Sequence, residues 1–120
     1  WILEKGVETI CSQIHSLTRR LLNELKSIKG VSILQPCFET DNCGIVSFNI
    51  QNMDGREVAM ILDQSFDIQS RAGLHCAPLL HETLGTISTH GAIRLSPGIF
   101  TSDEEISSVV KAVEEIAAHA

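Results

Sequence analysis

Val7, Ile10, Ile14, Leu17, Leu21, Leu25 and Ile28 recur at intervals of three and four, which gathers them into one apolar stripe along a helix of about six turns. Gly30 stands where a chain leaving such a helix needs a left-handed residue. The period then changes. Val31 and Ile33 alternate with Ser32 as a short strand stopped by Pro36, and the stretch from Glu39 to Gly44 is polar and turn-like. Val46, Phe48 and Ile50 alternate with Ser47 and Asn49, the clearest strand in the sequence. Asp54 followed by Glu57 has the spacing of a capping box, so a helix is expected to follow and to bury Val58, Ile61 and Leu62.

Phe66 to Arg71 reads as a third strand and Ala92 to Ser96 as a fourth. The twenty residues between them hold Gly73, Pro78, Gly85 and Gly91. That is a long connection for a compact domain, and long connections tend to carry function. Ser102 and Glu105 form a second capping-box pair, after which Ile106, Val109, Val113 and Ile116 mark a final helix. Helices of this kind bury their stripes against one face of a small, mainly antiparallel sheet. The expected fold is therefore α+β, a two-layer sandwich with the helices on one face.

With 120 residues, 43% of them hydrophobic, the chain has material for one packed core, and residues 1–120 are read as one domain. The 15 acidic residues outnumber the 9 basic ones, giving a net charge of −6, and only Arg19 and Arg20 are adjacent cations. This leaves no electrostatic footprint for nucleic acid. No apolar run reaches the roughly 18 residues of a membrane span, and the N-terminus lacks the order of a signal peptide. A cytoplasmic location without membrane contact is expected. Cys11, Cys37, Cys43 and Cys76 are too irregularly spaced for a disulfide framework or a zinc site. Free thiols are expected, with a Cys37–Cys43 bond as the alternative. The chain opens at Trp1, without an initiator Met, straight into a helical pattern, so an upstream segment is expected to be missing.

Chemistry concentrates in Arg71-Ala-Gly-Leu-His-Cys-Ala-Pro78. A cysteine in a loop with an arginine and a histidine close by has neighbours that favour the thiolate a sulfur nucleophile requires. On composition alone the plainer readings are a small buried hydrophobe for Cys76 and a structural hydrogen-bonder for His75. Arg94 lies in Gly91-Ala-Ile-Arg-Leu-Ser96. If Ile93 and Leu95 face the core, alternation sends Arg94 to the opposite face beside the small Ala92 and Ser96, where its fork of donors can take a carboxylate through two parallel hydrogen bonds. A solvated or salt-bridged surface arginine is the plainer reading there. His15, His81, His90 and His119 have no metal-ligand spacing and read as surface or local structural residues, and the glycines match no phosphate loop.

Taken together, Arg71-Ala-Gly-Leu-His-Cys-Ala-Pro-Leu-Leu-His81, Leu84-Gly-Thr86, Gly91-Ala-Ile-Arg-Leu-Ser96 and the closing acidic helix resemble the C-terminal small domain of class V aminotransferase-fold enzymes. The resemblance is strongest to the cysteine desulfurase and selenocysteine lyase branch, and it runs over essentially the whole chain. It implies that Cys76 accepts sulfur from a cysteine-like substrate as a persulfide, that Arg94 binds the substrate's α-carboxylate, and that Arg71 and His75 line the same pocket. Leu74 stands where close desulfurase relatives often carry a polar residue, which bears on substrate preference.

The resemblance further implies pyridoxal phosphate as cofactor, held by a large domain absent from these residues. No match to the family's Schiff-base lysine segment surrounds Lys5, Lys26, Lys29 or Lys111. The fragment is therefore expected to fold without turning over substrate. Its own large domain, a sulfur-acceptor protein and a second copy in a homodimer are the partners implied. Two other readings stay open. One is a class V aminotransferase or carbon–sulfur lyase that does not use Cys76; the other is a free-standing protein-binding domain.

Overall fold

The computed structural model describes residues 1–34 and 44–120. The order is α1 (Ile2–Lys5), α2 (Val7–Lys26), β1 (Val31–Ile33), β2 (Val46–Ile50), α3 (Gly55–Phe66), β3 (Arg71–Gly73), α4 (Pro78–Leu84), β4 (Ala92–Leu95) and α5 (Asp103–Ala118). The strands form one four-stranded sheet in the order β1-β2-β4-β3 with every neighbouring pair antiparallel. β2 and β3 thus run parallel with β4 inserted between them, and α3 makes the crossover of a split β-α-β unit.

One face of the sheet meets the helices. Val46, Phe48 and Ile50 of β2 and Ile93 and Leu95 of β4 pack with Leu17, Leu21 and Leu25 of α2, Val58 and Leu62 of α3, and Ile106, Ala112, Val113 and Ile116 of α5. Leu25, Phe48, Val58, Leu62, Ile93 and Val113 are wholly removed from solvent, each contributing about 1.5–3 kcal/mol of transfer free energy. This is the expected α+β two-layer sandwich. Arg20 ties the helix layer together, donating to Glu24 Oε1 (3.0 Å), to the Asp103 carboxylate (2.8 Å) and to Ser107 Oγ (2.6 Å).

The local expectations fare unevenly. The capping box of α5 is complete: the Ser102 N–H donates to Glu105 Oε2 (2.7 Å) and the Glu105 N–H to Ser102 Oγ (3.2 Å). At α3 the cap is single, because the Asp54 carboxylate accepts from the Arg56 N–H (2.8 Å), one residue short of Glu57. α2 ends at Lys26, and Gly30 (φ 88°) turns the chain into β1 instead of capping the helix. The third strand does not begin at Phe66. α3 continues through that residue and closes on Asp67 in the left-handed region (φ 55°), leaving only Arg71–Gly73 extended. Phe66 and Ile68 both pack on the core from a helix end and its exit, which imitates the alternation of a strand. Within the long connection the chain builds α4. Pro78 at its first turn and left-handed Gly85 at its end are the signals that mark it. The expected stop at Pro36, the turn to Gly44 and the Cys37–Cys43 alternative fall on or across residues 35–43, outside the described residues.

Candidate active site

The sheet face turned away from the helix layer carries the polar positions. Ser47 on β2 lies directly opposite Arg94 on β4, and Arg94 directly opposite Arg71 on β3, so the three side chains form a row across the sheet. Arg94 is half-buried between the buried Ile93 and Leu95, as alternation requires, and Arg71 is exposed on the edge strand. Like charges facing each other across an antiparallel pair repel. Among the described residues no carboxylate pairs with either guanidinium, whereas Arg20, Arg56 and His90 each have an acidic partner. Two adjacent guanidiniums without a carboxylate partner among the described residues make a concentrated anion-binding position.

β3 leads from this row into the turn Leu74–Ala77, closed by the Ala77 N–H donating to the Leu74 carbonyl (2.9 Å). Both central residues are left-handed, His75 at φ 51° and Cys76 at φ 61°. Turns with two positive φ values normally use Gly, Asn or Asp, and each non-glycine residue held there costs about 1–3 kcal/mol. The thiol therefore sits at the tip of a strained turn, exposed, and the buried-hydrophobe reading of Cys76 is set aside. Cys11 is likewise a free, exposed thiol.

His75 lies within the field of both arginines. Its protonation is pushed to lower pH, first by burial, then by the charge of Arg94, while a hydrogen bond to the Arg71 backbone opposes the shift. Its Nε2 is buried without a hydrogen-bond partner. The turn and β4 are held in register by a close backbone approach: a Cβ on Gly91 (φ 92°) would overlap the Gly73 carbonyl and come within 2.9 Å of Leu74 N. Behind it, Asn49 Nδ2 donates to the Gly91 carbonyl (2.9 Å) and to Thr89 Oγ1 (3.3 Å), fixing the approach to β4 onto β2.

Arg71, His75, Cys76 and Arg94 are thus brought to one end of the polar face, by strand pairing and by the turn. Sequence reasoning missed three supporting features: Asn49, Thr89 and the Gly73–Gly91 contact. Only the conformational signature of Gly91 was there to find. His81 is no surface residue but 5% exposed, and His90 bonds the Asp54 carboxylate (2.8 Å). Among the described residues no group of histidine, cysteine and carboxylate side chains has metal-binding geometry, and no helix is long and apolar enough to cross a membrane.

The chain is similar to proteins named as cysteine desulfurases. It is 36% identical over 114 residues to a probable cysteine desulfurase of Methanothermobacter thermautotrophicus, a match covering 93% of this chain and 28% of that protein. The apo structure of a cysteine desulfurase from Thermococcus onnurineus superposes with a TM-score of 0.88 at 30% identity, over 98% of this chain and 28% of that one. The fold also recurs in C-DES, solved with glycine covalently linked to its PLP cofactor (TM-score 0.71, 19% identity, 94% of this chain and 26% of that one). The chain thus spans little more than a quarter of the length of these relatives. The aminotransferase class-V family model matches residues 1–109. With most of its length matched, this chain belongs to the class-V aminotransferase family.

Proposed function

We propose that this chain is the C-terminal small domain of a longer, cytoplasmic, pyridoxal-phosphate-dependent cysteine desulfurase, with Cys76 as the sulfur acceptor and Arg94 as the carboxylate anchor. One observation carries the reading: an exposed thiol stands in the turn three residues beyond β3, whose Arg71 faces Arg94 across the sheet, and neither guanidinium has a carboxylate partner among the described residues. An amino-acid carboxylate satisfies that charge, and a thiol at the turn tip can reach a sulfur on the same substrate.

The residues divide the work as follows. Arg94 takes the α-carboxylate through two parallel hydrogen bonds from a position fixed by its strand. Arg71, on the edge strand of the same row, adds charge to the carboxylate's surroundings. Pyridoxal phosphate, when bound, supplies the electron sink that makes bonds of the amino acid's α- and β-carbons labile. The chain's lysines stand on α1, at or just beyond the end of α2, and on α5, none of them on the strands that carry Arg71 and Arg94. We therefore read the aldehyde-binding lysine as belonging to the remainder of the protein. The Cys76 thiolate attacks the substrate sulfur; the new S–S bond forms as the carbon–sulfur bond breaks, the bonding pair stays with carbon, and a proton completes alanine. Cys76 is left as a persulfide, whose outer sulfur passes to an acceptor.

α4 supports the assignment to a larger protein, since Leu79, Leu80 and Leu84 are exposed on it immediately after Cys76. We read this surface as covered by the large domain or the second copy of a homodimer, which would exclude water from the thiol. The test uses the full-length protein with pyridoxal phosphate and cysteine. Cys76→Ser is expected to abolish sulfide release in the presence of a reducing thiol while cofactor absorbance is unchanged. Arg94→Lys is expected to raise KM for cysteine at least tenfold. Full sulfide release by Cys76→Ser overturns the reading.

A further inference from the structure

α4 presents its three leucines to solvent and buries its histidine. Leu79 is 75% exposed, Leu80 54% and Leu84 46%, against 5% for His81. Burying an imidazole in place of a leucine is unfavourable unless the ring is hydrogen-bonded. It is: His81 Nδ1 lies 2.7 Å from Thr86 Oγ1, and Thr86 is itself buried. Thr86 is anchored in turn. Its N–H donates to the His81 carbonyl (2.9 Å), and its own carbonyl accepts from the Gly91 N–H (2.8 Å) and from Thr89 Oγ1 (3.0 Å). Through Asn49 these bonds reach β2. Near this clamp stands the ring of His75, with its centroid 6.4 Å from that of His81 and the planes tilted by 42°.

We infer that His81, clamped by Thr86, is a positioning residue that fixes the ring of His75 and, through it, the left-handed turn presenting the Cys76 thiol. Its meaning for sulfur transfer rests on the proposed role of Cys76. The physical need is clear from the backbone. A turn with two non-glycine residues at positive φ persists only where its surroundings over-determine it, and His75 is the turn's only half-buried central side chain. The charged or titratable groups facing that ring are Arg94 from β4, Arg71 from β3 and His81 from α4. Burial first, and then the charges of Arg94 and Arg71, push protonation of His75 to lower pH, while its Nε2 lacks a partner.

The test follows the His75 ring nitrogens by NMR across pH in this chain, alongside peptide-resolved alkylation of Cys76 by iodoacetamide. In the unsubstituted protein His75 is expected to hold one neutral tautomer, and the alkylation profile to show an inflection at the His75 midpoint. In His81→Phe and in Thr86→Val, the His75 midpoint moves up toward that of a free histidine, its tautomers mix, and the alkylation inflection moves with it. Thr86→Ser restores both. A role confined to packing leaves tautomer and inflection unmoved, and that result in both substitutions overturns the inference. If His81→Phe fails to fold, the Thr86→Val and Thr86→Ser pair decides by the same readouts. Sulfur never reaching Cys76, with His75 responding as described, defeats the sulfur-acceptor role and leaves the positioning role standing; the converse pattern does the opposite.

Discussion

Gly91→Ala is expected to be the most damaging single-methyl change in the chain. The residue sits at φ 92°, and a Cβ built there overlaps the Gly73 carbonyl and approaches Leu74 N to 2.9 Å, both backbone atoms that no rotamer change can withdraw. Overpacking of that kind costs about 1–3 kcal/mol, and an alanine in the left-handed region adds about 1–2 kcal/mol. The sum, about 2–5 kcal/mol, is a large share of the roughly 5–15 kcal/mol that holds a domain folded. Gly85→Ala is the control, because Gly85 is also left-handed (φ 71°) yet has no atom within 4 Å of the position a Cβ would take. Only the conformational part, about 1–2 kcal/mol, applies there. Urea unfolding of the two variants, followed by circular dichroism, separates the terms, and the excess for Gly91→Ala measures the contact between β4 and the turn that bears Cys76. Equal losses in the two variants would refute the argument that this backbone contact fixes the turn.

Arg71→Gln is expected to raise the stability of the chain by about 0.2–1 kcal/mol, because it relieves the like-charge pair with Arg94, and the gain should shrink in roughly 1 M salt, where the screening length is about 3 Å; no gain at low salt would mean that the two charges do not interact. Ser102→Ala should cost about 1 kcal/mol by removing one half of the α5 capping box, checked by the same unfolding experiment. The pH dependence follows from His75. Its folded-state protonation is pushed below the ordinary value of 6.5, so the unfolded chain binds the extra proton first. Stability is then fully present above that value and declines as pH falls through it toward the folded midpoint. His75→Gln should flatten the unfolding midpoint against pH over that window, and an unchanged slope would remove His75 as its cause.

Much of the fold was legible because burial and period coincide. Val46, Phe48 and Ile50, or Ile106, Val113 and Ile116, face the core at the spacing their element dictates, and Ser102 and Glu105 satisfy each other by local geometry alone. The failures have a common origin in signals that two structures share. Phe66 and Ile68 alternate as strand residues do, yet they reach the core from the end of α3. α4 was hidden because its leucines face outward, which removes the amphipathic stripe that identifies a helix. At the site, Cys76 and Arg94 stood out through their neighbours in sequence. The opposition of Arg71 to Arg94, the left-handed turn and the His81–Thr86 clamp depend on register and tertiary contact, which no local pattern carries.

The central claim is that sulfur moves to Cys76. The direct measurement is peptide mass spectrometry on the full-length protein after addition of cysteine carrying labelled sulfur, with pyridoxal phosphate bound. The account predicts one labelled sulfur on the peptide containing Cys76 and none on that containing Cys11, the other exposed thiol among the described residues. An unlabelled Cys76 peptide, in protein whose cofactor is seen to react with cysteine, contradicts it and favours an aminotransferase or carbon–sulfur lyase that does not use this thiol.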